Sequence, residues 1–147
     1  MDTSVMRKRS VKIICIGVFC LLYKLIIPDA IFCQANSALY NSGLDKSAKG
    51  DYYGAIADFT KVIELFPGEP KPYHYRGINK FNLKDYEGAI LDFDMAIKLN
   101  PKYTDAYYMR GMAKVGAKKK KESCPDFEKA KELKHLGAQS ALDKYCK

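Results

Sequence analysis

Tryptophan is absent from this 147-residue chain, histidine occurs twice and proline six times, and each shortage narrows what the protein can be. Few prolines, 48% hydrophobic residues and eleven tyrosines argue against disorder and fit a folded helical chain of one domain. The two histidines, His74 and His135, stand apart from any cysteine or carboxylate at metal-ligand spacing, so no metal site is expected. No glycine-rich phosphate loop in a strand–helix setting is present either. Asp58 and Asp92 are the one candidate carboxylate pair, and they read as solvated helix-face residues. With no catalytic constellation, the expectation is a non-enzymatic protein without a cofactor.

A long apolar run is also missing. The uninterrupted stretch Ile13 to Tyr23 is eleven residues, short of the roughly 20 that a spanning helix needs, and Lys24 interrupts its continuation. Preceded by basic Arg7 to Lys12 and followed by Pro28 and a small-residue neighbourhood ending in Ala35, residues 1–35 read as a signal peptide cleaved near Cys33 to Ala35. The alternative is an uncleaved N-terminal anchor from Val11 to Phe32, with Lys24 snorkelling. A lipid-modified Cys33 is disfavoured, since Phe32 stands where lipoprotein signals place a small residue. This segment carries +3 of the formal net charge of +8, so the basic balance says less about partners than it first suggests, and nucleic acid is not expected.

What the chain has is an internal repeat. Displaced by 34 residues, Asp51-Tyr52 falls on Asp85-Tyr86, Gly54-Ala55-Ile56 on Gly88-Ala89-Ile90, Asp58-Phe59 on Asp92-Phe93, and Pro67 on Pro101. Gly43, Gly77 and Gly111 keep the same spacing, as do Phe59, Phe93 and Phe127, and Tyr73-x-x-Arg76-Gly77 recurs as Tyr107-x-x-Arg110-Gly111. Within each unit the apolar residues recur at three- and four-residue steps, which is a helical period. Asp51 and Asp85 stand where N-caps belong, and Pro67 and Pro101 stop the second helix of each unit. The glycines mark close helix crossings, with Ala55 and Ala89 as the small surface opposite and the phenylalanines filling the space between successive pairs.

A glycine, Asp-Tyr, alanine, phenylalanine and closing proline at this period resembles the tetratricopeptide repeat. The resemblance implies an all-α, right-handed solenoid of helix–turn–helix repeats with about seven helices: repeats over 36–69, 70–103 and 104–137, and a capping helix over 138–147. The third repeat departs from the pattern. Lys118 to Lys121 replaces the Gly-Asp-Tyr turn, so its second helix is expected to start late, with Pro125 in its first turn and Ser123 or Cys124 as cap.

In such arrays the first helix of each pair lines a concave groove that holds a protein or peptide. The resemblance carries this role onto Tyr40, Leu44, His74, Ile78, Phe81, Tyr108, Met112 and Val115. Several of these positions serve equally well as packing between helices, with Tyr40, His74 and Tyr108 the more groove-like. Chaperone-associated relatives carry a carboxylate clamp of lysine, asparagine and arginine on this face; here the matching positions are Tyr40, Leu44, Tyr75, Asp105 and Met109, and none fits. An apolar or aromatic-rich segment of another envelope protein is the expected partner, bound in the periplasm or outside the cell. Membrane contact is expected only if the N-terminal segment stays uncleaved.

Cys124 and Cys146 lie eleven residues either side of His135, itself in the turn His135-Leu136-Gly137. An antiparallel helix pair brings them opposite each other, which predicts a disulfide between cap and last repeat; the alternative is two unpaired thiols. Lys118 to Lys121 reads as a solvated turn, with anion binding as the competing role, because no aromatic residue lies between Tyr108 and Phe127 to stack on bases.

Overall fold

The computed structural model describes residues 29–147, with side chains from Ser37 onward. Most of the expected targeting segment, 1–28, lies outside the described residues. Ala38–Lys147 is a compact unit of its own. Seven α-helices and no strands occur among the described residues: α1 Asp29–Ala48, α2 Tyr52–Leu65, α3 Pro70–Asn82, α4 Tyr86–Leu99, α5 Thr104–Gly116, α6 Lys120–Glu132 and α7 Ala138–Tyr145. From α2 onward each helix packs on the next in sequence, giving the expected helical-repeat solenoid with a closing helix. The first helix starts at Asp29, inside the stretch read as a targeting segment, and runs unbroken past residue 36.

Local chemistry accounts for the boundaries. The Asp51 and Asp85 side chains accept hydrogen bonds from the Gly54 and Gly88 N–H groups at 2.9 and 3.0 Å, capping α2 and α4. Pro70 stands at the start of α3, where a missing N–H costs nothing. The turn inside each repeat closes through a left-handed residue at the same place: Gly50 at φ 81°, Lys84 at 63° and Lys118 at 63°. The next residue then donates its N–H back across the turn: Asp51 to Lys46 O, Asp85 to Lys80 O, and Lys119 to Lys114 O. This six-to-one bond is a Schellman closure, and it satisfies carbonyls that the helix end leaves free. Lys134 at φ 67° closes α6 the same way, with the His135 N–H donating to Ala130 O.

That closure explains a correction to the sequence reading. The second helix of the third repeat does not start late: α6 begins at Lys120, in step with Tyr52 and Tyr86, and Pro125 lies inside it rather than in its first turn. Backbone bonding by Lys119 fixes the turn without an aspartate cap, and Ser123 Oγ donates to the Lys120 carbonyl at 2.6 Å instead of acting as N-cap. Pro125 is exposed, and the bond it cannot make concerns the Lys121 carbonyl at the open start of the helix.

Within each repeat the two helices are set by a phenyl ring laid on a glycine. A Cβ on Gly43, Gly77 or Gly111 would come to 2.9, 2.8 and 2.6 Å from the rings of Phe59, Phe93 and Phe127, respectively. All three rings are fully buried. The phenylalanine therefore fills the crossing inside its own repeat as well as the gap to the next, where Phe59 stacks on Tyr75 at 5.7 Å. On the last repeat Tyr145 of α7 stacks on Phe127 at 6.0 Å, and Ala138 and Ala141 are buried beneath it. The cap thus covers an apolar end that a solenoid would otherwise expose.

Replacing Gly77 with valine forces a branched side chain into the Phe93 ring, which has no free space to retreat into. Overpacking of this kind costs about 2–3 kcal/mol, so urea unfolding of Gly77→Val followed by far-UV circular dichroism is expected to show a clearly lowered midpoint. Adding Phe93→Leu is expected to recover part of the loss; an unchanged midpoint for the single variant would mean that the ring does not set the crossing.

Candidate functional site

The groove positions belong to α1, α3 and α5, the first helices of the three pairs. Tyr40 on α1 is half-buried, its ring edge-on to Phe59 and Tyr75 at 5.7 Å each. Leu44, Met112 and Val115 are half-buried. Ile78 and Phe81 pack against the buried Ala89, Phe93 and Ala113, so they divide their surface between core and groove. Tyr108 on α5 stacks flat on His135, ring centres 4.0 Å apart, and tilts against Phe127.

His74 departs from its expected place on an open face. Only 5% of it is exposed, and its ring is held among Tyr75, Phe93 and Tyr103 at 5.4, 5.6 and 4.8 Å. Its Nδ1 has no hydrogen-bond partner among the described residues. Burial pulls its pKa down to about 4, opposed by the negative charge of Asp105. Sequence pattern missed Tyr103 and Asp105 as companions of this ring, since Tyr103 comes from the far end of its repeat and Asp105 from the next, and they approach it only in the folded stack.

Burial, and then the neighbouring Tyr75 phenol, holds Tyr40 well above the usual tyrosine range. Burial also pushes Tyr103 up to about 12, with Tyr75 and Asp105 adding to it. The Tyr40 and Tyr103 phenols are therefore neutral at any physiological pH. Asp105 itself is open to solvent, its side chain 63% exposed and 3.7 Å from His135 Nε2.

The carboxylates behave differently from expectation. Asp58 and Asp92 are not solvated: they are 5% and 3% exposed, and Asp126 occupies the same place in the third repeat at 3%. Each meets a lysine at one shared position of its own repeat, Lys46, Lys80 or Lys114, at 2.6 to 2.8 Å. Asp58 also accepts from Ser42 Oγ at 2.6 Å. At the place of Ser42 the later repeats have Arg76, which grips Asp92 through Nε at 3.0 Å and Nη2 at 2.6 Å, and Arg110, which grips Asp126. Both arginines reach back to the preceding repeat as well, Arg76 to Thr60 Oγ1 at 3.1 Å and Arg110 to Asp94 at 2.6 Å. Burial raises the Asp58 carboxyl, but hydrogen bonds from Lys46 and Ser42 overcome it and the net shift is downward. This ladder joins helices rather than forming a reaction centre, and no group of three or more potential metal ligands occurs among the described residues.

Cys124 on α6 and Cys146 after α7 stand with Cα atoms 5.7 Å and Sγ atoms 2.17 Å apart. Beside them Lys120, Lys121, Tyr145 and Lys147 line a shallow cavity of about 310 Å³. Lys119 is not part of this patch, being paired with Glu87 at 2.7 Å. No helix among the described residues is long and apolar enough to cross a membrane.

The tetratricopeptide-repeat family profile matches residues 37–68 and again 104–134. A similar solved structure is the first tetratricopeptide domain of Spaghetti (RPAP3) bound to an HSP90 peptide, SRMEEVD, at 31% identity over 77% of this chain and 91% of that one, with a TM-score of 0.74. The chain belongs to the tetratricopeptide-repeat family. The first tetratricopeptide domain of human RPAP3 is also 31% identical, covering 76% of this chain and 89% of that one at a TM-score of 0.72. A third, the Arabidopsis OM64 tetratricopeptide domain, shares the fold at 23% identity and a TM-score of 0.73, over 76% of this chain and 94% of that one. No curated protein matches the chain in sequence.

The repeat stack gives His74 a measurable signature. An imidazole buried in the neutral form has a lower pKa folded than unfolded, so its contribution is complete above the unfolded value near 6.5 and is lost as pH falls toward about 4. Over that window the wild-type protein is expected to lose up to about 3 kcal/mol through this group. Thermal unfolding from pH 7 to pH 4 is expected to show a flatter decline for His74→Phe than for wild type; equal slopes would place the acid sensitivity elsewhere.

Proposed function

We propose that this protein is an exported adaptor that holds an extended, apolar or aromatic-rich segment of another envelope protein in the groove of α1, α3 and α5, with no chemical step of its own. The observation that carries the reading is the likeness, over nearly the whole length of the neighbour, to a repeat domain holding a peptide, together with the half-buried aromatic and aliphatic side chains on the same helices here. Tyr40, Leu44, Tyr108, Met112 and Val115 offer large contact area and adaptable shape to such a segment. The peptides bound by that neighbour and by the second tetratricopeptide domain of human RPAP3, SRMEEVD and SGPTIEEVD, end in acidic residues. This chain has no lysine, asparagine or arginine at the clamp positions to receive such an end, so its partner is of another chemistry.

Export and placement in the periplasm or outside the cell rest on the basic and apolar pattern of residues 1–35 and on the pairing of Cys124 with Cys146 as a disulfide of the working protein. A bridge between α6 and the end of α7 closes a loop of 22 residues and stabilises by about 3 kcal/mol on loop-closure grounds. The second reading is a membrane-tethered assembly factor that keeps its N-terminal segment; recovery of the intact N-terminal peptide from a membrane fraction favours it.

Photo-crosslinkers at Leu44 and Met112 in native cells are expected to capture one and the same protein. A crosslinker at Glu64, on an exposed position of α2, is expected to miss it. A synthetic peptide of the captured segment should then compete for purified protein; equal capture from all three positions counts against the groove. Alkylation of unreduced protein from the cell is expected to leave Cys124 and Cys146 unmodified, and full labelling of both would remove the bridge and the main support for an oxidising compartment.

A further inference from the structure

The clamp positions have been rebuilt rather than merely vacated. Around Tyr40 on α1, His74 and Tyr75 on α3, and Tyr103 and Asp105 at the start of α5, five side chains from three repeats converge. Tyr40 meets Tyr75 edge-on at 5.7 Å, His74 meets Tyr75 at 5.4 Å and Tyr103 at 4.8 Å. Asp105 is the charged group whose field reaches both His74 and Tyr103, and it stays 63% exposed. Lys71 holds the place of Asp105 one repeat earlier.

The centre is rich in electron density, although its phenol O–H and imidazole N–H groups also donate and Asp105 lies 3.7 Å from His135 Nε2. Phenol oxygens carry partial negative charge, aromatic faces are negative at their centres, Asp105 is anionic, and the buried His74 is neutral with an unused Nδ1. None of these rings is covered by a cation: the three cation–π contacts in the described residues use Tyr73, Tyr107 and Tyr145. We propose that this centre is a subsite for a cationic side chain, the ammonium of lysine or the guanidinium of arginine, carried by the segment that the groove binds. The cation sits against the tyrosine rings with Asp105 as its counter-ion, which reverses the charge preference of a carboxylate clamp at the same positions. The inference rests on the groove reading, and its strongest discriminator is the protein's own charge. The formal net charge is +8, and residues 1–35 carry only +3 of it, so with or without that segment the chain attracts acidic peptides non-specifically and a preference for basic ones has to come from a local site.

The test is an array of apolar and aromatic heptapeptides carrying arginine, glutamine or glutamate at the centre, probed with the full chain. The tightest arginine peptide and its glutamine and glutamate versions are then titrated by fluorescence anisotropy. Arginine is expected to bind roughly tenfold tighter than glutamine, the scale of a partly desolvated cation–π contact with a counter-ion, with glutamate weaker still. Asp105→Asn is expected to shrink that ratio severalfold, and Asp105→Lys to invert the order of arginine and glutamate. Leu44→Glu and Met112→Glu, checked for folding by circular dichroism, report on the groove itself. If the glutamine or glutamate peptides bind as well as arginine while those two variants abolish binding, the cation subsite is wrong and the groove stands. If the groove variants leave binding unchanged, or no peptide binds, both fall.

Discussion

The contact on which the rest depends is a benzene ring resting on a backbone. Because Phe59, Phe93 and Phe127 lie against Gly43, Gly77 and Gly111 with no room for a β-carbon, the two helices of each repeat approach more closely than side chains on both would allow. That approach fixes how one helix leans on the other, and three copies of one lean, in sequence, make a stack with the first helices on a common face. A groove is therefore a consequence of ring-on-glycine packing before any groove residue is chosen. The side chains on that face do not set the crossing, and they vary widely from one repeat to the next: Tyr40, His74 and Tyr108 hold one place, Leu44, Ile78 and Met112 another.

The ion ladder works beside this apolar packing. Burying Asp58, Asp92 and Asp126 is costly, and pairing with lysine and arginine offsets the cost rather than adding a large surplus. What the ladder adds is direction. Arg76 and Arg110 each hold an aspartate of their own repeat and a side chain of the repeat before, so neighbouring units are held at a single register where apolar contacts alone would tolerate sliding. The first repeat has serine at that position, and there the aspartate is served by Lys46 and Ser42 alone. Its pairing thus stays within one unit, as suits the end of an array.

Some of this could be read from the chain and some could not, for physical reasons. Asp51 and Asp85 as caps, Pro67 and Pro101 as stops, and the glycine–phenylalanine spacing are local or nearly local devices, and each proved to do what its chemistry implied. The failures share a cause. Asp58 and Asp92 look like surface charges because their partners lie 12 and 16 residues away on another helix, although the recurrence of Lys46, Lys80 and Lys114 at the repeat period was a usable signal. Pro125 looked like a first-turn residue because the turn before it lacks an aspartate cap, yet backbone bonding by Lys119 replaces that cap. His74 looked open because much of its cover comes from Phe93 and Tyr103, parts of other elements, which close over it beside Tyr75 of its own helix.

That last failure bears on function. In a repeat array a residue on the groove face is shaped by its own repeat and by the one stacked beside it, so the chemistry of the groove is written in pairs of repeats rather than in single positions. The carboxylate-clamp comparison illustrates the point: five separate mismatches at Tyr40, Leu44, Tyr75, Asp105 and Met109 say only what is lost. Once Tyr40, Tyr75, His74, Tyr103 and Asp105 are seen in contact, three of the same mismatches become one electron-rich surface whose natural complement is positive. A fold held by glycine, phenylalanine and buried aspartate can keep its groove while exchanging one charge preference for the opposite, because Asp105, which carries the charge, is exposed and takes no part in that packing.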